Sequence, residues 1–349
     1  MASPVLEGEM LSWGSVLLDG IPFADLLEAQ RRDASIAWLD FWMGKAAHYE
    51  ELGEQALDDG HDRSAGEWLW LASLCCHCAQ FYRFDERRWQ AQRRRAELYR
   101  LAAPYLAPPV DRVELPSDGV TIAGYLRLPS RVAGPVGCAI VLGGLDSATQ
   151  ESHRFGNLLL ERGVATFTFD QWGQGEPLEH VPLGEFFDRY TSVVLDHLVQ
   201  RPELGPGRIG VLGRDVGGHF ALRSACLDDR LAACVSWGGF VDMETSDTGT
   251  PTVRDAWRYV SMAVTEETAH EIAQAALDAR SVLGGLRCPT YVLHGALGEV
   301  PLRQVQLLRE LATNAELTIV VEPAGDQGCD NLGPEPRVAM ADWLADRLT

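Results

Sequence analysis

Short apolar runs, separated by stretches with helical spacing, follow one another from about residue 110 to the end of the chain. Continuous apolar runs are typical of parallel strands that are buried on both faces, and the helical stretches suit crossover connections. The first two segments instead alternate apolar and polar residues around Ser117-Asp118-Gly119, which predicts a hairpin. The sequence therefore predicts an α/β fold with an eight-stranded, mostly parallel sheet. The predicted strands are 112–115, 120–128, 136–142, 164–169, 209–212, 232–237, 290–293 and 317–321.

The earlier part of the chain has apolar residues at helical spacing and almost no strand pattern. The pair Pro108-Pro109 then marks a boundary, because neither residue continues a helix well. We therefore expect an N-terminal all-helical cap domain over residues 1–107 and an α/β domain over residues 108–349. The predicted helices are 21–31, 37–58, 64–81 and 87–101.

Charge and hydropathy exclude some classes of partner. The formal net charge is −20, whereas nucleic acids and anionic membranes are bound by basic surfaces, so we expect neither as a partner. No stretch approaches the ~20 apolar residues that a membrane helix requires. Residues 1–12 show no basic segment followed by an apolar run, so no secretory signal is predicted. We expect a cytoplasmic protein that acts on a small molecule, with a homodimer left open.

Cysteine usage agrees with this expectation. Eight cysteines in a chain of 349 residues are not a disulfide framework, and we expect reduced thiols. The run Cys75-Cys76-His77-Cys78 has the residue types of a metal site. Structural zinc sites usually draw on two separated ligand pairs, and no second pair follows, so a buried helix is the better interpretation. The sequence predicts no metal and no cofactor.

One motif has the arrangement of a catalytic turn. The buried strand 209–212 leads into Gly213-Arg214-Asp215-Val216-Gly217-Gly218, and a helical pattern follows over 220–225. In the nucleophile elbow, G-x-S-x-G, glycines permit a strained turn that lifts the central side chain above the sheet. The following helix directs backbone N–H groups toward that side chain. The sequence therefore places Asp215 where such an elbow holds its nucleophile.

Around this motif the chain resembles the α/β-hydrolase superfamily, and within it the family of carbon–carbon bond hydrolases that act on 2,6-dihydroxypseudooxynicotine and on fungal polyketides. The resemblance implies an α/β-hydrolase fold with an N-terminal helical cap, and it covers nearly the whole chain. The matching stretches are 48–50, 79–81, Val141–Ser147, Phe169–Glu176, the elbow, Ser236–Phe240, His294-Gly295, Glu299–Pro301, Gly325-Asp326 and Asn331–Gly333.

The resemblance fails at the catalytic triad. It places the family's serine at Asp215, its acid at Gly298 and its histidine at Gln327. A serine triad needs a base that takes the serine proton and an acid that orients this base. Since all three positions are changed, we do not expect an ordinary serine hydrolase.

Four hypotheses follow for Asp215. As a general base, it would remove an acidic C–H next to a carbonyl and start an elimination, with acetate loss from an acetylated tetronate in antibiotic biosynthesis as the analogy. As a covalent nucleophile, it would need a base for the second half-reaction, and Gln327 cannot take a proton. An unusual hydrolase would use water directly. A pseudoenzyme would only bind a ligand. We favour the lyase.

Other residues complete the predicted site. Backbone N–H groups of Gly144, Leu145 and Val216 would hold the developing enolate oxygen, and Gln327 would hydrogen-bond and orient Asp215. The expected pocket residues are Trp172, Tyr82 and His77. Arg214 and Asp170 are interpreted as structural, with Asp170 capping its turn.

Overall fold

The computed structural model describes residues 13–81, 85–117, 119–130, 134–145, 147–176, 181–184, 188–243 and 251–349. The chain divides into two compact units, Met1–Arg112 and Val113–Thr349. We describe each of them in turn.

The first unit is helical. Its helices are α1 (Trp13–Asp19), α2 (Phe23–Arg31), α3 (Trp38–Asp58), α4 (Asp62–Gln80) and α5 (Glu86–Ala102), followed by a 3₁₀ turn at Ala103–Tyr105. Every residue of α4 from Leu69 to Gln80 is buried, because α3 and α5 both pack against this helix. The side chain of Asp85 caps α5 by accepting a hydrogen bond from the N–H of Arg87 (3.0 Å).

The second unit is built on one eight-stranded sheet. The strands are β1 (Asp111–Ser117), β2 (Val120–Arg127), β3 (Val136–Leu142), β4 (Ala165–Phe169), β5 (Leu204–Arg214), β6 (Leu231–Trp237), β7 (Thr290–Gly295) and β8 (Leu317–Glu322). Their order across the sheet is β1-β2-β4-β3-β5-β6-β7-β8. Strand β2 is antiparallel to β4, and every pairing from β4 to β8 is parallel. This confirms the mostly parallel sheet.

Helices follow the strands along the second unit, and some of them pack on the sheet and cover its apolar side chains. They are α6 (His153–Glu161), α7 (Asp188–Leu198), α8 (Val216–Leu227), α9 (Pro251–Ser261), α10 (Glu266–Ala276), α11 (Arg303–Leu311) and α12 (Glu335–Leu348). Helix α12 contacts β3, β5, β6 and β7, while α8 contacts β3, β5 and β6. All residues of β3 and β4 are buried, as expected for strands covered on both faces.

The parallel strands bring their carboxyl ends to one edge of the sheet, where loops carry functional groups in such folds. Strand β5 lies near the middle of the strand order and ends at Arg214, directly before Asp215. None of the described helices is long and apolar enough to cross a lipid bilayer.

Candidate active site

The turn between β5 and α8 holds Asp215 in a strained backbone conformation. Its φ is 54° and its ψ is −121°, a region that side-chain-bearing residues rarely adopt. Backbone hydrogen bonds fix the turn: the Asp215 N–H donates to the Trp237 carbonyl (2.7 Å), and the Asp215 carbonyl accepts from the Gly218 N–H (2.8 Å). The turn has the strand–turn–helix arrangement of a nucleophile elbow.

Two glycines of this turn are required by close backbone contacts. A β-carbon on Gly213 would lie 1.8 Å from the Gly217 carbonyl oxygen. A β-carbon on Gly217 would lie 2.4 Å from the carbonyl oxygen of Gly143, in the loop after β3. Since β-carbons are not accommodated at such distances, the turn itself can close only with glycine at position 213, and the elbow can approach the loop after β3 only with glycine at position 217.

The loop after β3 reaches the Asp215 side chain. The Leu145 N–H donates to Asp215 Oδ2 across 3.4 Å, which is long for a hydrogen bond. A β-carbon on Gly144 would lie 3.1 Å from the same oxygen. Val216 opens α8 directly after Asp215, and the first N–H groups of a helix lack intrahelical partners. The three residues predicted as oxyanion donors thus adjoin Asp215 in space or in sequence, and their donor role stays a prediction.

Gln174, which the sequence did not single out, holds this loop in place. Its Nε2 donates to the carbonyls of Gly143 (2.9 Å) and Gly144, and its Oε1 accepts from the Gln171 N–H (3.2 Å). Asp170 fixes the same turn by accepting from the N–H groups of Thr149 (2.9 Å) and Glu176 (3.1 Å), as its structural interpretation predicts.

The other two triad positions form one packed unit. Gln327 Nε2 donates to the Gly238 carbonyl (2.5 Å), and its Oε1 accepts from the Val300 N–H (3.1 Å). A β-carbon on Gly298 would lie 2.7 Å from that Oε1. The glutamine amide therefore occupies the space next to position 298. Both of these amide hydrogen bonds go to backbone groups of other segments and neither goes to Asp215. An orienting role of Gln327 toward Asp215 stays a prediction.

An ion cluster joins the elbow to the loop of Gln327. Asp330 is buried and accepts from Arg337 Nε (2.8 Å) and from Arg214. Both guanidinium groups lie over the Trp237 ring, 5.1 Å from its centroid for Arg214 and 5.0 Å for Arg337. The indole N–H donates to the Gly328 carbonyl (2.6 Å). These contacts give Arg214 the structural role that the sequence predicted.

Three buried histidines belong to the core of the second unit. Burial lowers the pKa of His219 to about 4, and its ring stacks on Phe240 at 5.1 Å while Nδ1 lies 3.0 Å from the Phe240 carbonyl oxygen. Burial is also the largest cause that lowers the pKa values of His153 and His294. All three are therefore neutral at pH 7.

The predicted pocket residues have separate surroundings. Trp172 is half-buried and meets the Tyr190 ring edge-on, with centroids 5.6 Å apart. His77 is buried in α4, with Gln80 Nε2 2.8 Å from its Nδ1 and the Phe81 ring at 4.9 Å. Tyr82 lies outside the described residues, and substrate contact for all three stays a prediction. Among the residues described, no three histidine, cysteine or acidic side chains come together as a metal site.

Comparison with known proteins agrees with this geometry. The chain is 47% identical to 2,6-dihydropseudooxynicotine hydrolase of Paenarthrobacter nicotinovorans, over 98% of this chain and 93% of the relative. The crystal structure of the 2,6-dihydroxy-pseudo-oxynicotine hydrolase superposes with a TM-score of 0.93, covering 97% of this chain and 96% of that one. The structure of AbyA5 superposes with a TM-score of 0.71 at 18% identity, covering 93% of this chain and 94% of that one, and shows a shared fold.

These likenesses confirm the α/β-hydrolase fold and support a role as an enzyme. The family model that matches the chain spans residues 30–322 and is described as Esterase FrsA-like. By this match, the chain belongs to the FrsA-like esterase family.

Proposed function

We propose that the protein is a lyase that uses Asp215 as a general base. The observation that carries the proposal is a carboxylate, in place of a hydroxyl, on a strained elbow beside the Leu145 N–H. An acyl-enzyme mechanism needs a serine and a histidine, whereas proton abstraction needs only a positioned base and an oxygen-binding group. The proposed substrate is an acetylated tetronate or a related polyketide intermediate with an acidic C–H next to a carbonyl.

In the proposed reaction, Asp215 takes the proton from the carbon next to the carbonyl, and the C–H electrons form an enolate. The substrate oxygen accepts a hydrogen bond from the Leu145 N–H. The long bond from this N–H to Asp215 is easily exchanged for one to the substrate. The enolate electrons then form a carbon–carbon double bond, and the C–O bond at the β-position breaks. Acetate leaves with the bonding pair, and Asp215 releases its proton to solvent.

A hydrolase is the second candidate, because Asp215 stands at the nucleophile position of the elbow. A side chain at the tip of this turn is well placed for nucleophilic attack, and the 47% identical relative is named a hydrolase. Aspartyl-ester hydrolysis requires a base that activates water. The Gln327 amide at the histidine's position does not accept protons, which favours elimination over this route.

Substitution of Asp215 tests both candidates. We expect Asp215→Ala and Asp215→Asn to lower kcat for acetate release from an acetylated tetronate by about 10²–10⁴, since the amide keeps the shape of the side chain but not its basicity. The exposed Asp229→Asn serves as a matched control and keeps full activity. Full activity in Asp215→Ala would contradict both candidates and mean that the reacting groups lie elsewhere in the protein, whereas no acetate release by the wild type would favour a ligand-binding pseudoenzyme.

Labelled water separates the two chemistries. Single turnover in H₂¹⁸O places ¹⁸O in the Asp215 carboxylate if an aspartyl ester is hydrolysed, because water attacks the carbonyl carbon of the ester. Elimination leaves this carboxylate unlabelled. Deuterium at the abstracted position slows an elimination when proton removal limits the rate. Finding ¹⁸O in Asp215 would overturn the lyase proposal.

A further inference from the structure

One buried guanidinium group of the helical unit has no hydrogen-bond partner among the described residues. Arg95 in α5 is fully buried (0% exposed). None of its three nitrogens has a hydrogen-bond partner in the part of the chain that the structure describes. Buried charges in proteins are paired or hydrogen-bonded, because burial removes the favourable hydration of the charge and only such contacts offset this cost in free energy. The described residues therefore give Arg95 no hydrogen-bonded negative group, although a buried guanidinium requires one.

The neighbouring side chains do not supply this group. Among the described residues of the unit, the buried carboxylates are Asp19 and Asp25. Asp25 accepts from Lys45 (2.8 Å) and Tyr49 (2.5 Å), and Asp19 accepts from Ser15 (3.1 Å). Cys76 is close enough to Arg95 to interact electrostatically, but burial raises the pKa of this thiol to about 12. The thiol is thus neutral at pH 7 and gives no counter-charge.

Further buried polar atoms of α4 and α5 also have no hydrogen-bond partner among the described residues. Gln92 lies one turn before Arg95 on α5, and its Oε1 has no described partner. Ser73 lies one turn before Cys76 on α4, and its Oγ has none. Buried polar groups are hydrogen-bonded in the great majority of cases, so several exceptions in one helical unit point to an additional binding partner.

We propose that Arg95 is the centre of an anion-binding site in the helical unit, and that its ligand is a small carboxylate or enolate. A guanidinium group presents paired N–H donors that match two oxygens of one planar anion. Gln92 and Ser73 add polar groups that hydrogen-bond further substituents. Because the Arg95 nitrogens are closed to solvent, neighbouring groups move aside as the ligand enters. The site does not depend on the role of Asp215.

Thermal unfolding of the whole chain in sodium acetate and in sodium chloride, at equal pH and ionic strength, tests the proposal. We expect acetate to raise the wild-type Tm relative to chloride by about 2 °C or more at saturation. Arg95→Met should lose this rise. In chloride, the Tm of Arg95→Met should equal or exceed that of the wild type, because the substitution removes an uncompensated buried charge.

Arg94→Met is the matched control. Arg94 is adjacent on the same helix, partly exposed, and paired with Glu50 and Glu97. This variant should keep the acetate effect. If Arg95→Met does not fold, Arg95→Lys keeps the charge without the paired donors and should show a reduced acetate effect. An acetate effect that is equal in all variants, or absent from the wild type, would overturn the proposal.

Tetronic acid, an enolate at neutral pH, identifies the source of the anion. If tetronic acid raises the Tm through Arg95, the site accepts the anionic group of a tetronate-like substrate. If acetate alone does so, the site accepts a free carboxylate. Both results support an anion site. The same measurements in Asp215→Ala should give unchanged shifts, so failure of the lyase proposal and failure of this one are distinguishable.

Discussion

At the scale of single residues, Gly298 and Gln327 occupy two of the three changed triad positions and pack against each other. A β-carbon on Gly298 would lie 2.7 Å from both Cα and Oε1 of Gln327. We expect Gly298→Ala to lower the free energy of unfolding by about 1–3 kcal/mol, as overpacking typically does. Urea unfolding measures this change, and Gln327→Ala in the same chain should relieve the part due to Oε1.

Gly284 provides the control for this prediction. A β-carbon there would have no heavy atom within 4 Å, so Gly284→Ala should leave the free energy of unfolding nearly unchanged. An equal loss in Gly284→Ala and Gly298→Ala would show that backbone flexibility, and not the Gln327 amide, determines the result.

The site also shows which residues a sequence pattern can locate. Asp215 was placed from local spacing alone, because strand, glycines and helix are contiguous in the chain. The partners of Gln327 come from two other segments, at Gly238 and Val300, and no local pattern predicts such contacts. Gln174 was missed for the same reason: its partners, Gly143 and Gly144, are about thirty residues away.

At the scale of elements, helix α3 contains two glycines in opposite surroundings. A β-carbon on Gly44 would meet no heavy atom within 4 Å, whereas one on Gly53 would lie 2.8 Å from Leu69 Cγ. Glycine inside a helix costs about 0.5–1 kcal/mol relative to alanine. We expect Gly44→Ala to stabilise the protein by that amount in urea unfolding.

Gly53→Ala is the matched variant in the same helix. The alanine brings the same stabilisation of the helical backbone, but its β-carbon forces Leu69 on α4 to move. We therefore expect a net loss of stability. Stabilisation by both substitutions would mean that α3 and α4 adjust to each other more freely than their packing indicates.

Most helices and strands were predictable, because burial on one or both faces imposes a period on the sequence. The predicted strand 136–142 matches β3, and the predicted helix 37–58 nearly matches α3. Strand β5 begins at Leu204, earlier than predicted, since its first part contains glycine and proline. Helix α1 was not predicted, because its seven residues are too few for a clear period.

At the scale of the whole molecule, buried histidines make folding stability depend on pH. The pKa of His219 is about 4 in the folded state, against 6.5 as its ordinary value. The unfolded chain thus binds the proton more readily, and the stabilising contribution is complete above pH 6.5 and lost as pH falls toward 4. Between pH 7.5 and pH 5 this amounts to about 2 kcal/mol.

Substitution of His219 isolates this contribution. We expect the difference in unfolding free energy between pH 7.5 and pH 5, measured in urea, to shrink by about 2 kcal/mol in His219→Phe. It should not vanish, because burial also lowers the pKa values of His153 and His294. His61→Asn, at an exposed site, should leave the difference unchanged. An undiminished difference in His219→Phe would show that other groups control acid unfolding.

The close packing of Gly298 against the Gln327 amide also restricts how a serine hydrolase could be rebuilt on this scaffold. An acidic side chain at position 298 meets both the amide and the backbone of residue 327. Introduced alone, it therefore lowers the stability of the fold and adds no catalytic group. A histidine at position 327 gains an orienting partner only after that acid is in place. Libraries that randomise one position at a time would therefore yield no variant with improved serine-hydrolase activity. Directed evolution toward a triad needs positions 298 and 327 varied together, with Asp215→Ser introduced into a chain that already carries both changes.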